Sequence, residues 1–161
     1  MSNSNPAPTT AQTDAVLRAA SVLLRVVARS VVEVEDLVST PQLRVLVMIA
    51  SHGPQNVGAV AAELGVHPSN ATRTCDRLVQ ADLILRREDP NDRRYVQLDL
   101  TKDGSALVAR VLGHRRRAVA EVMAKMTPGQ REETAAAMAA FASAAGGGGS
   151  DDGRFSLAAR D

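Results

Sequence analysis

The fold is decided by residues 65–104, which read GVHPSNATRTCDRLVQADLILRREDPNDRRYVQLDLTKDG. Pro68 opens a helix in this stretch, because proline fits the first helical turn, where no amide hydrogen is needed. Ala71, Cys75 and Leu78 follow at the spacing of one helix face, and the polar residues lie roughly opposite them. The pattern predicts an amphipathic helix with one buried side and one exposed side.

The second half of the stretch predicts a β-hairpin. The segment 83–87 is short and partly β-prone. In residues 95–100, apolar and polar side chains alternate with a period of two. Residues 89–92 read DPND, a composition typical of a tight turn, and Arg93 and Arg94 come directly after them. We expect one hairpin that packs its apolar side on the helices and carries both arginines at its tip.

Three helices are expected before the helix that Pro68 opens. Apolar residues recur every three or four positions over residues 13–36, which predicts a first amphipathic helix. A capping hydroxyl and a proline at 40–41 start a second helix, which a Gly-Pro pair ends. Residues 57–64 predict a short third helix that ends at Gly65, so the third and fourth helices form a helix-turn-helix.

Two more helices are expected after the hairpin. Thr101, with Gly104 close behind it, caps a long helix, and a Thr-Pro pair at 127–128 starts a final one. Apolar residues along the long helix are spaced to form a seam for another helix. The chain then becomes rich in glycine and acidic residues, which predicts a flexible tail over residues 145–161.

Composition limits the class of protein. Hydrophobic residues make up 45% of the 161 residues but aromatic residues only 2%, which predicts an aliphatic core and disfavours an all-β sandwich. No apolar run is long enough to span a membrane, and the polar start of the chain is unlike a secretion signal. The single cysteine excludes an internal disulfide framework, so we expect a cytoplasmic protein without a membrane partner.

The net charge of only +1 means that any affinity for DNA must come from locally placed basic residues. Arginine suits guanine in the major groove, asparagine suits adenine, and serine or threonine suits either base. Residues of these types lie on the helix that Pro68 opens: Ser69, Asn70, Thr72, Arg73 and Arg77. At the hairpin tip, Arg93 and Arg94 would reach a minor groove, and Asp92 would hold one guanidinium in an ion pair. The alternative is a solvated face with a salt-bridged turn.

The remaining reactive side chains predict neither an enzyme nor a cofactor or metal site. The sequence has no nucleophile with a matching base, no phosphate-binding loop and no recognisable pair of carboxylates. His52, His67 and His114 lack close Cys, Asp or Glu partners for a metal ion. Cys75 is expected to be a buried, inert thiol. The basic residues 114–117 are expected to form a solvated helix face, and the alternative is contact with flanking phosphates or with an acidic stretch of a partner subunit.

Residues 89–94 (DPNDRR) and 98–104 (LDLTKDG), with the order of the elements, resemble the MarR family of bacterial winged helix-turn-helix regulators. The resemblance rests on an Asp-x-Arg at 92–94 and a Leu-Thr-x-x-Gly at 100–104. It implies a mainly α fold with a small β-hairpin wing over residues 13–144. The implied parts are a disordered segment 1–12, dimerisation helices 13–36 and 102–144, a DNA-binding part 40–100 and the tail 145–161.

The resemblance also implies a function. It implies a homodimeric transcriptional regulator, most often a repressor, that binds a pseudo-palindromic operator. The base-reading positions of the family fall on the same five helix residues, and its minor-groove arginine falls on Arg94. Many members release DNA when a small phenolic or lipophilic ligand binds, although one Tyr and two Phe leave little for an aromatic-lined pocket. The alternative is a winged-helix module that binds another protein and no specific DNA.

Overall fold

The structure is a computed structural model that describes residues 6–88 and 96–146. Helices dominate these residues, and two strands form one antiparallel hairpin, which confirms the predicted mainly α class. The elements, in chain order, are α1 (Thr10–Val32), α2 (Thr40–His52), α3 (Val57–Leu64), α4 (Pro68–Gln80), β1 (Ile84–Glu88), β2 (Val96–Leu100), α5 (Lys102–Met123) and α6 (Pro128–Ala144).

The first helix departs from the predicted bounds at both ends. Thr9 and Gln12 form a capping box: the Thr9 hydroxyl accepts from the Gln12 amide at 3.2 Å, and the Thr9 amide donates to Gln12 Oε1 at 2.8 Å. This cap starts α1 at Thr10, so residues 10–12, which were expected to be disordered, are helical. The helix ends at Val32 instead of residue 36, because the chain turns there toward α2.

An aliphatic core joins α2, α3, α4, the hairpin and the first half of α5, as the composition predicted. Burying these side chains removes apolar surface from water, which is the main force that holds the elements together. The largest fully buried members are Leu43, Leu46, Ile49, Val60, Leu78, Ile84, Leu98 and Val111.

The hairpin is tied to the helices through its own backbone. In the β1–β2 pair, Ile84 lies opposite Leu100, and Ile84 and Leu98 are buried against the helices. Gln55, in the loop before α3, forms a further bridge to β2: its amide donates to the Leu98 carbonyl at 3.0 Å, and the Leu98 amide donates back at 2.7 Å. The hairpin therefore has a fixed position relative to α3 and α4.

The start of α5 lies in direct contact with the chain segment that precedes β1. The Thr101 hydroxyl accepts from the Gly104 amide at 3.0 Å and donates to the Asp82 carbonyl at 2.6 Å, which confirms the predicted cap. A Cβ atom on Gly104 would overlap the carbonyl oxygen of Leu83. Glycine is therefore required at position 104 because backbone and backbone come into contact there.

Apolar side chains remain uncovered at both ends of the described chain. In α1, Leu17 and Leu24 are 59% and 67% exposed, and in α6, Phe141 is 58% exposed. No residue of α6 is buried. A helix of this kind gains little stability from a single copy of the chain, because helices in proteins depend on packing one face against a neighbour.

Replacing Gly104 with alanine should destabilise the protein, whereas the same change at Gly113 should not. Gly113 lies inside α5, and a Cβ there meets no atom within 4 Å. There alanine should raise the free energy of unfolding by about 0.5–1 kcal/mol through its helix propensity. Urea unfolding measures both variants, and an equal gain for Gly104→Ala and Gly113→Ala would contradict the proposed backbone contact.

Candidate nucleic-acid interface

Helix α4 separates its residues into a buried face and an exposed face. Ala71, Cys75 and Leu78 are 0% exposed and belong to the core. The five residues that the sequence singled out for base reading are all exposed: Ser69, Asn70, Thr72, Arg73 and Arg77. Since the apolar face anchors the helix, these hydrogen-bonding side chains are presented on one rigid element.

The turn between α3 and α4 depends on Gly65. Its φ of +66° lies in the left-handed region, and the Val66 amide donates to the Ala61 carbonyl at 3.1 Å. This arrangement ends α3 by satisfying carbonyls that would otherwise lack partners. The turn sets the direction in which α4 leaves α3, so it also sets where the exposed face of α4 points.

His67 holds the start of α4, a role that the sequence did not predict. It precedes Pro68 as the N-cap of α4, and its Nδ1 accepts a hydrogen bond from the Ser69 amide at 3.3 Å. The Ser69 hydroxyl oxygen lies 2.9 Å from the same Nδ1, so His67 also contacts the side chain of Ser69. The sequence feature that could have identified His67 as the N-cap is its position directly before a proline at a helix start.

The arginines around α4 fall into two electrostatic groups. Arg86 of β1 forms an ion pair with Asp76 of α4 at 2.5 Å, and Arg87 pairs with Asp99 of β2 at 3.4 Å. Arg73 and Arg77 form no ion pair within residues 6–88 and 96–146. The charges of Arg73 and Arg77 are thus uncompensated by those residues. The Asp76–Arg86 pair also links the exposed side of α4 to the hairpin.

Three of the predicted site residues, Asp92, Arg93 and Arg94, lie outside the described residues. Their roles at the hairpin tip stay predictions. Both strands that flank them are described, and the pairing of Glu88 with Val96 defines the end of the hairpin nearest the tip.

Two further predictions concern Cys75 and the basic run at 114–117. Cys75 is fully buried as expected, and burial raises the pKa of its thiol, which disfavours the reactive thiolate. The expectation of a solvated basic face is wrong for Arg115, which is only 3% exposed. It packs between α1 and α5 and binds Ser30, while Arg116 and Arg117 are exposed as predicted.

His114 also has a partner that the sequence did not indicate. Its Nδ1 lies 2.7 Å from Glu33 Oε1, so the pair joins α5 to the segment just after α1. Across residues 6–88 and 96–146, no cluster of three His, Cys, Asp or Glu side chains is arranged to hold a metal ion. None of the helices in those ranges combines the length and apolarity needed to cross a membrane.

Comparison with solved structures finds other chains with this architecture. The structure of RV1404 from Mycobacterium tuberculosis is similar, with 37% sequence identity and a TM-score of 0.74, covering 88% of this chain and 97% of that one. A transcriptional regulator from Thermotoga maritima, Tm0710, has a TM-score of 0.69 over 82% of this chain and 92% of that one. At 21% identity, this second match supports the fold alone.

Sequence comparison finds a named regulator and a matching family model. The chain is 34% identical over 98 residues to the HTH-type transcriptional repressor MdtR of Bacillus subtilis strain 168. The match covers 61% of this chain and 63% of MdtR, so the chain spans less than two thirds of that relative's length. The MarR family model matches residues 38–96, from just before α2 to the start of β2. The MarR family and MdtR are transcriptional regulators, not enzymes. The chain belongs to the MarR family.

Proposed function

We propose that this protein regulates transcription by binding double-stranded DNA as a homodimer, with α4 in the major groove. The observation that carries the proposal is the division of α4 described above. Its apolar face is fully buried, and the exposed residues are of the types that read base edges. A major groove is wide enough for one helix, and a rigidly held helix presents its side chains to the bases in one register.

The distribution of charge supports specific rather than general binding. The whole chain has a net charge of only +1, so it does not attract DNA as a polycation. Arg73 and Arg77 instead offer charge on the helix itself. The N-terminus of α4 adds amide hydrogens and a partial positive charge that favour a phosphate, which sets the register of the helix on the duplex.

The hairpin is proposed as a second contact, with Arg94 and Arg93 in the minor groove and Asp92 orienting one guanidinium. A narrow minor groove attracts arginine through its negative potential. The support comes from the contacts that hold the two strands of the hairpin in place. The Gln55–Leu98 bridge and the Asp76–Arg86 pair hold the strands against the same helix pair that presents α4.

Dimerisation is proposed from the uncovered apolar residues of α1 and α6. A second copy that covers Leu17, Leu24 and Phe141 would give α6 the packing that it lacks in one chain. Two-fold symmetry would then place two α4 helices on half-sites about 10 base pairs apart, or a multiple of that spacing. The operator would be pseudo-palindromic, and repression is the outcome that we propose, with release by a small phenolic or lipophilic ligand.

Replacing Arg73 with alanine should weaken binding to a verified operator by about 10-fold to 100-fold, because one base-reading contact is worth about 1–3 kcal/mol. It should also relax the base preference at one position of each half-site. Arg110→Ala, which removes an exposed arginine of α5 outside the interface, is the matched control. Fluorescence anisotropy measures both, using an operator selected from genomic DNA. If the selection enriches no fragment, the protein-binding alternative is favoured instead.

Replacing His67 with alanine should lower the free energy of unfolding by about 1 kcal/mol, because the N-cap acceptor of α4 is lost. His67→Asn restores a cap side chain and should restore stability. Both variants should change the base preference at the position that contacts Ser69, since its hydroxyl loses the contact with Nδ1. Urea unfolding and binding to a panel of operator variants separate these effects. Unchanged base preference in both variants would contradict a role for His67 in orienting Ser69.

Replacing Phe141 with glutamate should weaken self-association by at least about 30-fold, because burying a charge at the centre of an interface costs about 2 kcal/mol or more. Leu37→Glu is the control, since Leu37 is equally exposed but lies outside α1 and α6. Sedimentation equilibrium measures the dissociation constant. A monomeric wild-type protein, or equal effects of both variants, would contradict the proposed interface.

A further inference from the structure

One ion pair lies beside the exposed face of α4 and joins that helix to the hairpin. Nη2 of Arg86, in β1, donates to Oδ1 of Asp76, in α4, at 2.5 Å, and each side chain is 42% exposed. Arg86 lies opposite Leu98 in the β1–β2 pair, and residues directly opposite each other point to the same side of a hairpin. Since Leu98 is fully buried against the helices, Arg86 extends from the hairpin toward α4.

Asp76 is the only acidic residue of α4, and it lies three positions after Arg73. Residues three positions apart on a helix are neighbours, with about 5–6 Å between their Cβ atoms, so a carboxylate and a guanidinium at this spacing can form an ion pair. Arg77 is nearer in sequence, but adjacent residues on a helix do not face each other. Arg73 is therefore the cation of α4 that Asp76 can reach.

This pair within α4 is not formed in the structure. Asp76 is bound by Arg86, and Arg73 is exposed and makes no ion pair with any residue of 6–88 and 96–146. A guanidinium that is bound to a carboxylate has fewer donors left for the two acceptors of a guanine. The partner that binds Asp76 therefore affects how fully Arg73 is available to a base.

We propose that Arg86 is a positioning residue for base reading, because it holds Asp76 and thereby keeps Arg73 free to contact a base. Arg86 acts through Asp76, so the proposal requires no contact between Arg86 and DNA. The inference rests on the proposed binding of DNA by α4, and it adds a specificity-determining residue outside that helix. In the mechanical alternative, the ion pair does no more than tie the hairpin to α4.

The test compares variants that break the same ion pair from its two sides. Arg86→Ala leaves Asp76 free to bind Arg73, whereas Asp76→Ala leaves no carboxylate on α4. Fluorescence anisotropy measures the binding of the full chain to a verified operator and to operators changed at one base pair. The ratio of the two dissociation constants is the base preference at that position. The position read by Arg73 is the one at which Arg73→Ala loses this preference.

Arg86→Ala should lower the preference at the position read by Arg73 by about two-fold to five-fold, since an exposed ion pair then competes for Arg73. Asp76→Ala should keep the wild-type preference. The double variant, with alanine at both positions, should regain this preference, although it also lacks the tie to the hairpin. Its net charge equals that of the wild-type protein, so long-range attraction to DNA is unchanged. In an Arg73→Ala background, Arg86→Ala should have no further effect at that position.

Two further variants control for charge and for folding. Arg87→Ala removes the neighbouring arginine of β1, which pairs with Asp99 of β2 at 3.4 Å, and releases no carboxylate of α4. It should leave the preference at the position read by Arg73 unchanged. Arg86→Met keeps the aliphatic part of the side chain and removes its charge, so it gives the same comparison if the alanine variant does not fold. Urea unfolding measures the stability of each variant.

Three results would overturn the proposal. Equal losses of preference in Arg86→Ala and Asp76→Ala, or a double variant no better than Arg86→Ala, would leave the ion pair with a mechanical role. An equal loss of affinity for every operator would mean that the unpaired Asp76 repels phosphates instead of binding Arg73. Failure of the proposed function would look different, because the wild-type protein would then prefer no operator and Arg73→Ala would change no preference.

Discussion

The burial of one face of α4 is the constraint on which the rest of the structure depends. Ala71, Cys75 and Leu78 are fully enclosed by the core, and a helix that buries one face must expose the other. The exposed side carries Asn70 and Arg73 on a rigid element, and this element could not be rotated without exposing the core. The same packing that stabilises the domain therefore determines which side chains are available to DNA, and it leaves Cys75 inaccessible as a reactive thiol.

The hairpin is held against the helices by contacts that come from three parts of the chain: the loop before α3, α4 and the start of α5. Gln55 bridges to β2 from the loop before α3, Asp76 reaches Arg86 from α4, and Thr101 caps α5 while donating to the Asp82 carbonyl. The close approach of Gly104 to Leu83 completes this junction. Because these contacts hold both strands and the segment before β1, the helix and the hairpin keep one relative position, which suits the proposed contact with two grooves.

α1 and α6 are less buried than the part of the chain formed by α4 and the hairpin. α6 buries none of its residues, and the N-terminal half of α1 is largely exposed, so both helices pack little against the other described residues. Between α1 and α5, by contrast, Arg115 is buried and incompletely hydrogen-bonded. α1 therefore takes part both in this buried contact with α5 and in the surface proposed for the second copy.

Local patterns in the sequence by themselves determined the bounds of α3, the start of α4 at Pro68, the cap at Thr101 and the exposed face of α4, because helix periodicity and capping act over three or four residues. The start of α1 was misplaced because Thr9 and Gln12 form a capping box within a segment that was expected to be disordered. Only the tertiary structure decided the Gln55–Leu98 bridge, the Asp76–Arg86 pair and the burial of Arg115. Arg115 meets Ser30 across 85 residues of sequence, and no periodicity indicates which residue lies opposite a helix once another helix packs on it.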